Sequence, residues 1–141
     1  ILCLELVSKN LITDSLGLYI GYSHGCNVPS SRGTAKIETR TNADFMLIRA
    51  VADLYKRIVR KDCPIRRIGI SCNNVVEDNG VRQLSLFDYC PDDLERAYNL
   101  QTAIVSLKTR FGKNSVLKGM NYDKAGTTRE RNQQIGGHKS G

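Results

Sequence analysis

An α+β domain, with an antiparallel sheet backed by two helices on one face, is predicted by the order of periodicities in this chain. Three segments alternate with period two, near 16–23, 32–40 and 65–75. Two segments repeat apolar residues every three or four positions, one closing near residue 13 and one over 43–61, and they interleave with the strands. Such alternation suits one layer of strands covered by helices. A further helix is expected near 91–111, after the sheet is complete. At 141 residues the chain has the length for one core and an appendage.

Residues 1–13 read as the end of an amphipathic helix, with Leu2 and Leu6 on one side, Cys3 and Val7 beside them, and Thr13-Asp14-Ser15 as the breaker. The first strand then places Leu16, Leu18, Ile20 and Tyr22 inward and Gly17, Tyr19, Gly21 and Ser23 outward. Glycines weaken a strand unless something approaches closely. That something is either a phosphate or the crowded side chains of a twisted sheet. His24 to Ser31 forms the hairpin loop, and the second strand turns Ala35, Ile37 and Thr39 inward and Arg32, Thr34, Lys36, Glu38 and Arg40 outward.

Asn42 is the expected N-cap of the helix over 43–61, whose stripe is Phe45, Ile48, Ala52, Tyr55 and Val59, widened by Leu47, Val51, Leu54 and Ile58. Arg49, Lys56, Arg57, Arg60 and Lys61 lie outside that stripe, and the last three complement the helix C-terminal dipole. Cys63-Pro64 stops it. The third strand then turns Arg66 (at the rim), Ile68, Ile70 and Cys72 inward and Arg67, Gly69, Ser71 and Asn73 outward.

Pro91-Asp92-Asp93 starts the later helix, with proline and acids where a helix N-terminus favours them. Ala97, Leu100, Ile104, Leu107 and Phe111 form a stripe expected to pack on something, and Gly112 is its stop. Ser115 to Met120 reads as a short strand, and 121–141 as a basic polar tail without structure of its own. The expected units are therefore 1–76, an acidic linker at 77–90, 91–120, and the tail.

Charge divides the chain more sharply than its net +7 conveys. Residues 32–73 carry ten Lys/Arg against four Asp/Glu, 77–105 two against six, and 106–141 eight against two. Two basic blocks around an acidic centre favour a polyanionic partner. The combined outer faces of the strands gather Tyr19, Ser23, Arg32, Thr34, Lys36, Arg40, Arg67, Ser71 and Asn73. Hydroxyls, amides and cations among small residues suit phosphates rather than base edges. The face lacks the stacking aromatics of an RNA-reading sheet.

Other classes find little support. The five cysteines are widely spaced and never in a C-x-x-C pair, which argues for a reduced, cytoplasmic setting over a disulfide framework or zinc site. The two histidines, His24 and His138, lack ligand-spaced neighbours, and no Gly-rich phosphate loop occurs. No apolar run approaches the length of a membrane span. No signal peptide is evident, and an Ile at position 1 suggests a chain that starts inside a longer protein.

One stretch departs from the rest. Gln83-Leu84-Ser85-Leu86-Phe87 is apolar yet lies among Glu77, Asp78, Asp88, Asp92, Asp93 and Glu95. It reads as a peptide presented to a partner, with Leu86 and Phe87 as anchors, Leu84 at the rim and Gln83 fixing register by hydrogen bonds. The competing reading folds the same leucines and phenylalanine onto the chain's own core.

Taken in order, Gly33-Thr34-Ala35-Lys36, Ile65-Arg66-Arg67-Ile68-Gly69-Ile70-Ser71, Gln83–Phe87, Phe111-Gly112-Lys113-Asn114-Ser115-Val116-Leu117 and Arg129 to Lys139 resemble the C-terminal region of Y-family, UmuC-like DNA polymerases. The likeness is nearest to the UV-damage-repair polymerases of Gram-positive bacteria. The resemblance implies a little finger domain, a four-stranded sheet backed by two helices that lies along primer-template duplex DNA during translesion synthesis, here lacking its first strand. A dimer through that strand position is one way to complete the sheet. It further implies that Gln83–Phe87 binds the bacterial sliding clamp, that the setting is the SOS response in the cytoplasm at the nucleoid, and that a palm domain outside this chain carries catalysis with Mg. This fragment holds no catalytic residue, cofactor or metal site of its own. A stand-alone clamp-binding repair adaptor is the alternative.

Overall fold

The computed structural model describes residues 2–80, 91–135 and 138–139. Helix α1 spans Leu2–Ser8, strand β1 Leu11–Tyr22, strand β2 Ser31–Thr41, helix α2 Asp44–Ile58, strand β3 Ile65–Asn73 and strand β4 Val76–Glu77. Beyond them lie helix α3 over Pro91–Phe111, helix α4 over Thr128–Arg131 and the short strands β5 Gln134–Ile135 and β6 His138–Lys139, which pair antiparallel. The sheet is antiparallel and four-stranded, in the order β2-β1-β3, with β4 pairing the start of β1. This is the α+β class that the periodicities predict.

β1 is the axis of the fold. Its twelve residues pair with β2 on one side and with β3 and β4 on the other. Leu16, Leu18, Ile20 and Tyr22 are all buried, as their alternation requires, and α2 lays Met46, Leu47 and Leu54 against them. Gly33 on β2 is what lets the helix come this close: a Cβ there would stand 2.9 Å from Leu54 Cδ1 and 3.2 Å from Ile58 Cγ2.

Several boundaries differ from expectation. The first helix ends at Ser8, because Asn10 takes a left-handed φ of 53° and its N–H closes on Val7 O at 3.1 Å. β1 consequently starts at Leu11, and Thr13-Asp14-Ser15 is a bulge inside the strand instead of a helix breaker. The Thr13 hydroxyl stabilises that bulge: its single proton is shared between Ser15 O at 2.9 Å and Asn73 O, and its oxygen accepts from Ser15 N–H at 3.3 Å.

Asn42 does not cap α2. Ala43 holds the cap position, with no side-chain cap bond of its own, and the Asn42 amide instead donates to Leu11 O at 3.1 Å. The missing cap comes from another helix. Gln101 Oε1 on α3 accepts from Asp44 N–H at 3.1 Å while its Nε2 donates to Asn42 O at 3.0 Å. α2 ends at Ile58, with Val59 already extended, so Arg60 and Lys61 lie past it.

The helix over 91–111 forms as expected, but its packing face differs. Leu94 and Ala97 rest on the core and Gln101 is 3 % exposed, whereas Leu100 and Phe111 are 63 % and 62 % exposed. α3 packs beside α1, while Leu107 and Phe111 of the apolar stripe in its second half stay exposed. No strand forms over 115–120. The tail carries local structure in place of a bare polar coil: Asn132 Nδ2 donates to Asn114 Oδ1 at 2.7 Å, and Thr128 Oγ1 to Asn121 Oδ1 at 3.0 Å.

Candidate nucleic-acid interface

The pairing register builds the outer face row by row. Ser15 lies between Lys36 and Asn73, Gly17 between Thr34 and Ser71, Tyr19 between Arg32 and Gly69, and Gly21 beside Arg67. Tyr19, Arg32, Thr34, Lys36, Arg67, Ser71 and Asn73, seven of the nine residues singled out as DNA-facing, thus share one surface. The other two stand at its margins. Ser23 follows β1 and leads into a short 3-10 turn over His24–Cys26, its N–H bonded to Pro64 O at 2.9 Å. Arg40 lies near the end of β2, where its Nε reaches Asp14 Oδ2 at 3.4 Å.

The outer-face glycines of β1, Gly17 and Gly21, are explained by the sheet's own side chains. A Cβ on Gly17 would stand 2.5 Å from Ser71 Oγ, and one on Gly21 would stand 3.3 Å from the Tyr19 hydroxyl oxygen. A Cβ on Gly69 would meet Tyr19 Cβ at 3.7 Å and Cδ1 at 3.9 Å. The Tyr19 side chain therefore lies along the sheet, over Gly21 and against Gly69. Relief of crowding, one of the two readings of these glycines, is the one the geometry bears out.

Electrostatics differ across this surface. The Arg32 guanidinium carbon sits 5.2 Å from the Tyr19 ring centroid, a cation–π distance. Arg32, Thr34, Lys36 and Arg67 are all exposed. Glu38 is the one carboxylate of β2. At the margin, the Asp14 carboxyl is held below its ordinary pKa, first by the hydrogen bond from Asn74 Nδ2 at 3.1 Å and then by Arg40. Arg40 is thus engaged with a carboxylate, unlike the cations nearer the centre.

The Cys3 and Cys72 thiols are pushed up in pKa by burial and Cys63 by hydrogen bonding to Cys26, all of which disfavour a nucleophilic thiolate. His24 meets the Arg66 guanidinium at the rim of the sheet. Among the described residues no group of three His, Cys, Asp or Glu side chains is placed to hold a metal ion, and no helix is long and apolar enough to cross a membrane. Gln83-Leu84-Ser85-Leu86-Phe87 lies outside the described residues.

Sequence reasoning missed Gln101, a polar residue inside an apolar stripe, and the coupling of Tyr19 to Gly21, Gly69 and Arg32. The second had a signal: a lone aromatic in a row of outward glycines.

Comparison with known proteins then places the chain. The profile of the impB/mucB/samB family C-terminal domain matches residues 1–86. A Bacillus subtilis (strain 168) protein carrying the name UV-damage repair protein UvrX is 26% identical over 133 residues, covering 94% of this chain and 31% of its own. DNA polymerase IV 2 of Halalkalibacterium halodurans is 29% identical over 122 residues, 84% of this chain and 28% of its own. DNA polymerase IV of Pelotomaculum thermopropionicum is 38% identical over 68 residues, 48% of this chain and 16% of its own. The chain spans under a third of the length of these relatives. No solved structure gave a match.

Proposed function

This chain belongs to the impB/mucB/samB C-terminal domain family, and from that premise we propose that it is the DNA-holding and clamp-tethering part of a translesion polymerase of the Y family. The observation that carries the reading is the outer sheet face, where Arg32, Lys36 and Arg67 stand exposed with Thr34 and Ser71 around the Tyr19 side chain. Cations and hydroxyls gathered on one exposed face neutralise and hydrogen-bond phosphates without reading bases. Relatives named for UV-damage repair and for DNA polymerase IV agree with that chemistry. The polymerase activity itself belongs, in this reading, to a catalytic domain not present in these residues.

The test is duplex binding as a function of salt. Lys36→Ala and Arg67→Ala each weaken binding on unrelated duplex sequences alike, and each lowers the slope of log K against log salt by about 0.9, the value for one phosphate contact. Duplex affinity that is indifferent to salt overturns the assignment of this face.

The second attachment is Gln83–Phe87, read as an extended peptide that docks Leu86 and Phe87 in an apolar pocket of the sliding clamp. The double change Leu86→Ala, Phe87→Ala is expected to abolish clamp binding while duplex affinity stays at the wild-type value. Clamp affinity unchanged in that double variant sinks the peptide assignment and leaves the sheet assignment standing.

A further inference from the structure

We propose that Tyr19 is a positioning residue for DNA binding: its ring, laid flat on the sheet, holds the Arg32 guanidinium in place for a single phosphodiester. The inference rests on the DNA-binding reading of this face and adds a role to the one aromatic residue there. Two uses of an outward tyrosine are distinguishable by geometry. A stacking platform stands clear of the sheet and offers a bare ring to an unstacked base. Tyr19 does the opposite. It is half-buried, with its hydroxyl and Cε1 above Gly21 and its Cβ and Cδ1 against Gly69.

Arg32 is the ring's other neighbour. It pairs with Tyr19 across β1 and β2 and brings its guanidinium carbon to 5.2 Å from the ring centroid. A guanidinium keeps its hydrogen-bond donors free in its own plane while it lies against an aromatic ring, so the ring restrains it without consuming the donors a phosphate needs. An exposed arginine on a strand otherwise samples many rotamers, and ordering it on binding weakens the contact. The pairing row continues to β3: Arg32, Tyr19 and Gly69 lie in line, and a Cβ at position 69 would come into ordinary van der Waals contact with the Tyr19 side chain.

The experiment is a double-mutant cycle on affinity for a short fluorescein-labelled duplex, with the full chain. Tyr19→Leu is expected to lower affinity about two- to fivefold, the range of an exposed cation–π contact. Arg32→Ala is expected to lose at least as much and to reduce the salt slope by about 0.9. The combined Tyr19→Leu, Arg32→Ala variant is expected to bind no worse than Arg32→Ala alone, and Tyr19→Phe to bind as wild type. Additive losses in the cycle, or an unaffected Tyr19→Leu variant, overturn the inference. So does a Tyr19→Phe variant as weak as Tyr19→Leu, since the hydroxyl would then be the active group. Where Tyr19→Leu does not fold, Arg32→Lys decides: the charge is kept but the guanidinium beside the ring is lost, so affinity should fall about two- to fivefold, and wild-type affinity refutes the role. If Arg32→Ala, Lys36→Ala and Arg67→Ala all leave binding unchanged, the DNA reading itself fails; if they weaken it and the cycle is additive, only the role of Tyr19 fails.

Discussion

β2 and β3 flank the same strand, pair with it in the same antiparallel sense and carry the same inward alternation, yet their inner faces have different fates. On β2, Ala35 and Ile37 are buried beneath α2. On β3, Ile68 and Ile70 are 53 % and 46 % exposed. Beyond β3 no further strand pairs with it among the described residues, and the packing of α2 is on β1 and β2. Alternation reports which way a side chain points, a property of the strand alone. Coverage is a property of whatever lies opposite, and β3 has little there.

The comparison predicts unequal costs for equal chemistry. Ile20→Ala, at 0 % exposure under α2, is expected to destabilise by about 2–5 kcal/mol, because a cavity is left in a packed layer. Ile68→Ala removes the same atoms from a half-exposed site and is expected to cost under about 1 kcal/mol. Urea denaturation of the two variants measures both. Equal losses would mean that β3 is covered in solution, by a second copy or another segment, and a concentration-dependent midpoint for the wild type would identify the copy.

Legibility follows the same division. The inner residues Leu16, Leu18, Ile20 and Tyr22 were readable because a strand's period is two whatever surrounds it. The start of β1 was not, since Thr13-Asp14-Ser15 has breaker composition and its conversion to a bulge depends on a carbonyl of Asn73, sixty residues on. Asn42 has the chemistry of a cap, but long-range bonding to Leu11 O draws it away, and Gln101 from α3 takes the task over. The outer face was legible as a list of polar residues on alternate positions. Its organisation around a recumbent Tyr19 was hidden, because glycine at 21 and 69 reads equally as an open approach to ligand or as room for a neighbour.

Gln101 offers the second test. Replacing it by leucine keeps the volume and the helix but strands Asp44 N–H and Asn42 O without their partners. Lost hydrogen bonds of this buried kind cost about 1–3 kcal/mol. Gln101→Leu is therefore expected to lower the denaturation midpoint by an amount between those of Ile68→Ala and Ile20→Ala. If the leucine is neutral, α2 draws its N-terminal order from elsewhere and α3 is not coupled to the sheet through this residue.

The smallest expected effect lies where the two flanking strands meet on one side chain. Asp14, in the bulge of β1, accepts from Arg40 Nε of β2 and from Asn74 Nδ2 just past β3, where Asn74 holds a left-handed φ of 50°. Both partners favour the carboxylate, Asn74 through the largest single contribution and Arg40 through a hydrogen bond and its charge, so the folded pKa lies below the unfolded one near 3.8. A depressed carboxylate stabilises the fold at pH values above the unfolded pKa, and that contribution is lost as pH falls through the folded value. The wild type is therefore expected to lose slightly more melting temperature than Asp14→Asn between pH 5 and pH 2, with the two profiles parallel from pH 5 to pH 7. Arg40→Ala should remove less of that acid sensitivity than Asn74→Gly, which deletes the amide donor and accepts the left-handed backbone. The reverse order would place the electrostatic tie of this bulge on the β2 side, the side that is already sealed by packing.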